Sequence, residues 1–131
     1  MTGSFLIPSD IRSFILTVIP SVPHLEALLL LRHNPGLEWD CRAMAQRLYV
    51  SETKAEETLM HLSEAGIAVR RKNGFSFYHY EPASKELGLL LDRLAEIYAR
   101  HLIEVTHLIH TRIEKQARQF GDSFKLKRDE N

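Results

Sequence analysis

The stretch from Ser51 to Tyr80 constrains this chain more tightly than any other part of it. Ser51 precedes a run from Glu52 to about Ala65 in which Ala55, Leu59 and Leu62 recur at i, i+4 and i+7. That spacing makes one inward helical stripe, and a serine just before it can accept from the free N–H groups of the first turn. Gly66 stands where a helix commonly closes on a left-handed residue. Two arms of strand-forming residues, Ile67 to Arg71 and Phe75 to Tyr80, then flank Lys72-Asn73-Gly74. Asn-Gly between such arms is the strongest short hairpin signal. On the second arm Phe75, Phe77 and His79 share one face, and Ser76, Tyr78 and Tyr80 share the other. The prediction is a capped helix leading through a glycine into a two-stranded ribbon with basic residues at its bend.

Upstream, Ser9 or Asp10 is placed to cap a first helix through Ile11, Phe14, Ile15 and Val18. Pro20 and Pro23 end it, and Ser21 is the N-cap of a second helix with Pro23 in its first turn. The leucines between His24 and Arg32 lie nearly all the way round, which marks the most buried helix of the fold. Asn34-Pro35-Gly36 turns the chain, Leu37 to Trp39 is a short extended piece, and Asp40 caps a helix through Met44, Ala45 and Leu48. Tyr49-Val50 connects that helix to Ser51.

Downstream, residues from about Ala83 to Arg118 contain no proline, and the pattern predicts one long helix. Leu87, Leu91, Leu94, Tyr98, Leu102, Val105, Ile109 and Ile113 step along it by threes and fours. A seam of that length needs a partner surface. Pairing of two copies through Leu87, Leu91, Leu94, Tyr98, Leu102, Val105 and Ile109 is the expected solution, and folding back onto a monomer core is the other. Gly121 closes the helix or starts a break, and the tail from Phe124 is amphipathic before it frays. The expected organisation is residues 1–82, an N-terminal helix with the helical and hairpin unit, then 83–120, the long helix, then 121–131, a short tail.

Composition narrows the functional classes. At 131 residues the chain fits a single domain, and its 17 basic and 17 acidic residues cancel, so attraction to phosphate has to come from a local patch. One cysteine, Cys41, rules out an internal disulfide, fits a reducing compartment, and reads as packing. The N-terminus lacks the basic start and apolar core of a signal peptide, and the longest apolar run, Ala27 to Leu31, is too short to cross a bilayer. A soluble, cytoplasmic protein without membrane contact is expected. No nucleophile, base and acid fall into a recognisable frame, and no Gly-rich phosphate loop is present. Neither enzymatic activity nor a cofactor is expected. His101, His107 and His110 lie near Glu104 and Glu114, and His107, His110 and Glu114 are spaced for one helix face. His-x-x-x-His spacing and a cysteine partner are missing, so these are read as solvated or interface histidines and no metal is expected.

The order helix, helix, short strand, helix, capped helix, glycine, hairpin over residues 21–82 resembles the winged helix-turn-helix of bacterial transcription regulators of the MarR kind. Ala45, Leu48, Val50, Ser51 and Ala55 match the spacing of that family's scaffold and recognition helices. The resemblance implies a mainly α fold with a small β-hairpin wing, a winged helix-turn-helix domain plus a long C-terminal helix. It also implies a homodimer on double-stranded DNA, with Glu52 to His61 facing a major groove and the wing touching the backbone. The residues so assigned are Gln46, Arg47, Ser51, Thr53, Lys54, His61, Arg70, Arg71 and Lys72.

The recognition segment departs from the family pattern in its charge. It carries Glu52, Glu56, Glu57 and Glu64 against a single Lys54. Carboxylates facing a groove lined with phosphates oppose the counterion release that drives binding. Glu52 can be explained by the helix dipole, but Glu56 and Glu57 less well. Arg70 to Lys72 could equally be a solvated turn. A winged-helix module that binds another protein, without DNA, is therefore the second reading. Phe75, Phe77 and Tyr78 are read as core rings rather than as a ligand pocket.

Overall fold

The computed structural model describes residues 7–113. Its first helix, α1 (Ser9–Val18), differs from expectation at its start: Pro8 holds the cap position and no side chain closes the turn. Asp10 lies inside that turn. Its carboxylate accepts from the Ile11 N–H at 2.9 Å and pairs with Arg93. The other expected caps form. The Ser21 hydroxyl accepts from the His24 N–H at 3.4 Å to start α2 (Val22–His33), with Pro23 in its first turn. Asp40 accepts from Ala43 at 2.8 Å to start α3 (Cys41–Leu48), and Ser51 from Lys54 at 3.0 Å to start α4 (Glu52–Glu64).

Gly66, at φ +79°, turns the chain out of α4. Strands β1 (Ala68–Asn73) and β2 (Phe75–Tyr80) then pair antiparallel, from Ala68 opposite Tyr80 to Asn73 opposite Phe75. Gly74 sits at the bend at φ +80°, a region closed to most side chains. Trp39 exchanges backbone bonds of 2.7 and 2.8 Å with Tyr78, so the short extended piece adds a third position to the sheet beside β2. A mostly helical chain with an antiparallel hairpin after a helix-turn-helix is the winged-helix architecture.

The core is built around α2, which buries His24, Leu25, Ala27, Leu28 and Leu31. Against it pack Ile11 and Ile15 of α1, Met44 of α3, Ala55, Leu59 and Leu62 of α4, and Tyr78 of β2. Tyr78 places its whole ring in this core and donates its hydroxyl to Glu56 at 2.8 Å, so the wing is fastened to α4 by one buried aromatic.

The C-terminal region differs from the single helix expected. The Ser84 hydroxyl accepts from the Leu87 N–H at 3.1 Å to start α5 (Lys85–Arg100), and His101 then leaves helical geometry at φ −130°, ψ 49°. A further helical run covers residues 102–113. The break lets the apolar seam be satisfied within the chain. Leu91, Leu94, Val105 and Ile109 are fully buried in the same core as α1 and α2, and Leu87 and Tyr98 pack at its edge. Leu102, by contrast, is 53% exposed. Polar links hold the arrangement: Arg93 to Asp10, Arg32 to Asp92 at 3.0 Å, and Arg112 to the Ile19 carbonyl at 3.3 Å. The expected continuation to Arg118, the closure at Gly121, the tail from Phe124 and the position of Glu114 lie outside the described residues. No single helix among the described residues is long and apolar enough to cross a membrane.

Candidate nucleic-acid interface

The helix-turn-helix is formed by α3, the Tyr49-Val50 turn and α4. Tyr49 takes a left-handed conformation, φ 57°, while the Tyr49 and Val50 N–H groups both reach the Ala45 carbonyl. Its ring is 95% exposed, so nothing in the fold's own packing rewards the residue type there. Such a conformation costs a non-glycine residue about 1–2 kcal/mol.

The residues assigned to DNA separate into two groups. Gln46 projects from α3 and, with Arg42, Ser51 and Glu52, borders a shallow depression at the start of α4. Thr53 and Lys54 are exposed on the first turn of α4, and Ser51 is exposed although its hydroxyl serves as the cap. On the wing, the Arg70 Nε and Nη2 donate to Ser76 Oγ at 3.2 and 2.9 Å, which lays the side chain along the ribbon. Arg71 lies 3.7 Å from Glu38 with 68% of its side chain exposed, and Lys72 is exposed beside it.

Two residues are turned elsewhere. His61 stacks edge-on against His24, with ring centroids 5.1 Å apart and planes at 88°, and its Nδ1 is buried without a hydrogen-bond partner. Helical periodicity places His61 beside the outer stripe, but the neighbouring α2 decides the matter by offering an aromatic edge. Arg47 likewise places its guanidinium 5.9 Å from the centre of the Trp39 ring and borders a groove between α2 and α5 with Glu26, Tyr98 and Leu102. Packing against Trp39 draws it away from the Arg42 and Gln46 side of α3.

His24 has a consequence of its own. Its Nδ1 lies 2.8 Å from the Ser21 hydroxyl, and the ring is almost fully covered. Burial, reinforced by His61 and Lys54, pushes its pKa down to about 4, so the imidazole is neutral at pH 7.

Between the wing and the starts of α3 and α4 lies a cavity of about 620 Å³, lined by Asp40, Cys41, Arg42, Glu52, Glu56, Phe75, Ser76 and Phe77. Sequence reasoning assigns the two phenyl rings to the core. Instead Phe75 is 75% exposed at the rim and Phe77 is half-buried, because the Ser76, Tyr78 and Tyr80 face of β2 is the one that turns inward. The carboxylates give the cavity a negative field: burial raises the Cys41 thiol pKa, and Glu56, Glu52 and Asp40 raise it further. Burial and the bond to Glu56 likewise push the Tyr78 hydroxyl up to about 12. Along α4 the exposed Glu57 and Glu64 flank Met60 and extend this acidic surface. Sequence reasoning does not single out Arg42, Tyr49 or Met60 for this face, and it misses Phe75 as a surface residue. Their signal is an exposed position, which periodicity alone does not give.

Among the described residues no three histidine, cysteine or acidic side chains gather in a way that could hold a metal ion. His101 forms the helix break and lies 3.9 Å from Glu104.

No protein-family model matches the chain, and no curated protein matches it. Among solved structures, the chain is similar to a possible transcriptional regulator from Methanosarcina mazei Go1. The two are 16% identical, the match covers 88% of this chain and 84% of that one, and the TM-score is 0.47.

Proposed function

We propose that the protein is a cytoplasmic transcription regulator of the winged-helix type that meets duplex DNA chiefly through its wing. The observation that carries this reading is the exposed basic ribbon tip, Arg71 and Lys72, at the end of a wing whose second strand lines one cavity with Glu52 of the first turn of α4. The cavity shared by Phe75 to Phe77, Glu52 and Glu56 supports that adjacency. Arg42, Lys54, Arg71 and Lys72 would position the backbone, with Gln46 and Thr53 near base edges. The unit ending near residue 82 would face DNA, and residues 83–113 would complete the packing. Two copies would meet through the apolar side chains left open beyond the break, Leu102 at 53% and Ile103 at 77% exposure, rather than through the buried seam.

Fluorescence anisotropy of a random duplex over a salt series tests the reading. With about four phosphate contacts, log Kd should rise with log salt at a slope of about 3–4, and each of Arg71→Ala and Lys72→Ala should lower that slope by about 1. Binding that is absent at low salt, or unchanged in the double variant, refutes it.

The acidic outer face of α4 favours a second reading, a winged-helix module that binds protein. Under it the double variant would keep its partner, and DNA retention would be absent from the start.

A further inference from the structure

The cavity between wing and α4 is poorly matched to phosphate and well matched to a cation on an apolar stem. Asp40, Glu52 and Glu56 line it against one basic residue, Arg42. Asp40 uses Oδ1 for the Ala43 N–H, and Glu56 uses Oε1 for the Tyr78 hydroxyl. A carboxylate offers about four acceptor sites, so both keep capacity for another donor. Neither Glu52 nor Glu56 has a Lys or Arg within ion-pair distance among the described residues. The rings of Phe75 and Phe77 lie on the same walls, where a guanidinium or ammonium group can sit over a ring face while its methylenes cover apolar surface. From the rim, Glu57, Met60 and Glu64 extend the same mixture along α4, and Met60 supplies an apolar point of contact between acidic ones.

We propose that this face is a docking site for a basic segment of a protein partner, one arginine or lysine of which inserts between Phe75 and Phe77 and the carboxylates of Glu52 and Glu56. The occupant follows from charge complementarity. A segment alternating basic and apolar residues pairs with the carboxylates and covers Phe75 and Met60, whereas a nucleic-acid backbone would bring phosphates against three acids. A partner seated there would cover the first turn of α4, so partner and DNA would exclude each other. The inference goes beyond the regulator reading and stands without it.

The test uses the full chain, labelled with ¹⁵N, titrated with a short peptide alternating arginine and leucine. The same peptide with citrulline for arginine keeps the shape and removes the charge, and arginine amide supplies the cation alone. Expected are shifts concentrated at Cys41, Glu52, Glu56, Phe75 and Phe77, and binding at least tenfold weaker for the citrulline peptide and for the Glu52→Gln, Glu56→Gln protein. The amide introduced by Glu56→Gln would keep an oxygen for the Tyr78 hydroxyl, and an unchanged thermal midpoint confirms that the variant is folded; Glu52→Gln alone, on the surface, provides a second, smaller loss. Equal binding of the citrulline peptide, shifts centred elsewhere, or no loss in either variant overturns the proposal. Arginine amide binding as tightly as the peptide also overturns it, in favour of a small-cation site. Because no DNA is present, failure here leaves the DNA test untouched.

Discussion

Acidification should destabilise this protein through one side chain, His24. Its folded-state pKa is about 4 against an ordinary value of 6.5, with burial as the main cause. As pH falls, the unfolded chain therefore takes up the proton first. The contribution of neutral His24 is fully present above about pH 6.5, declines as pH falls toward 4, and changes no further below that. Evaluating the linkage between pH 7 and pH 5 gives a loss of up to about 2 kcal/mol from this group. That is a large fraction of the stability of an ordinary domain. The groups facing His24 are Ser21 on its own helix and His61 and Lys54 on α4, so charging the ring sets it against a lysine.

His24→Phe keeps a ring against His61 but cannot titrate. Urea unfolding followed by circular dichroism at pH 7, 6 and 5 should show the wild type losing stability more steeply than the variant, by up to about 2 kcal/mol across the range. Parallel pH profiles for the two proteins would refute the reasoning, as would a wild type that gains stability on acidification relative to the variant.

Leu94→Ala should cost about 2–5 kcal/mol at every protein concentration, because Leu94 is fully buried within one chain. A loss that varies with concentration in the same urea experiment would instead assign Leu94 to an interface between copies. Gly66→Ala should destabilise by about 1–2 kcal/mol, since φ is +79° and a new methyl would lie 3.2 Å from the Ala83 Cβ; an unchanged thermal midpoint would contradict this. Tyr49→Gly should stabilise by about 0.5 kcal/mol by relieving the left-handed turn at a fully solvated ring, and calorimetry showing a loss would mean that the ring contributes to the fold.

The parts of this protein legible in its sequence are those governed by a few neighbouring residues. Ser21, Asp40 and Ser51 cap their helices because a short polar side chain and the N–H three residues on are brought together by the helix itself. Gly66 and Gly74 turn the chain for equally local reasons, and the alternation along β2 follows from the pleat. The start of α1 escapes the same logic because Asp10 has a competing partner, Arg93, far along the chain.

Only the tertiary structure decided which face of each element was buried and by what. The rows of residues around His61 and Arg47 are compatible with an outward site; the edge of His24 and the ring of Trp39 drew them away. Phe75 and Phe77 have the composition of a core, yet Tyr78 occupies it, since the hairpin presents one face at a time to α4. The seam past His101 is periodic enough for a partner copy, yet a single break turns Val105 and Ile109 into this chain's own interior. Periodicity establishes that an apolar stripe must be covered; what covers it is decided by the competition among all the surfaces the folded chain brings within reach.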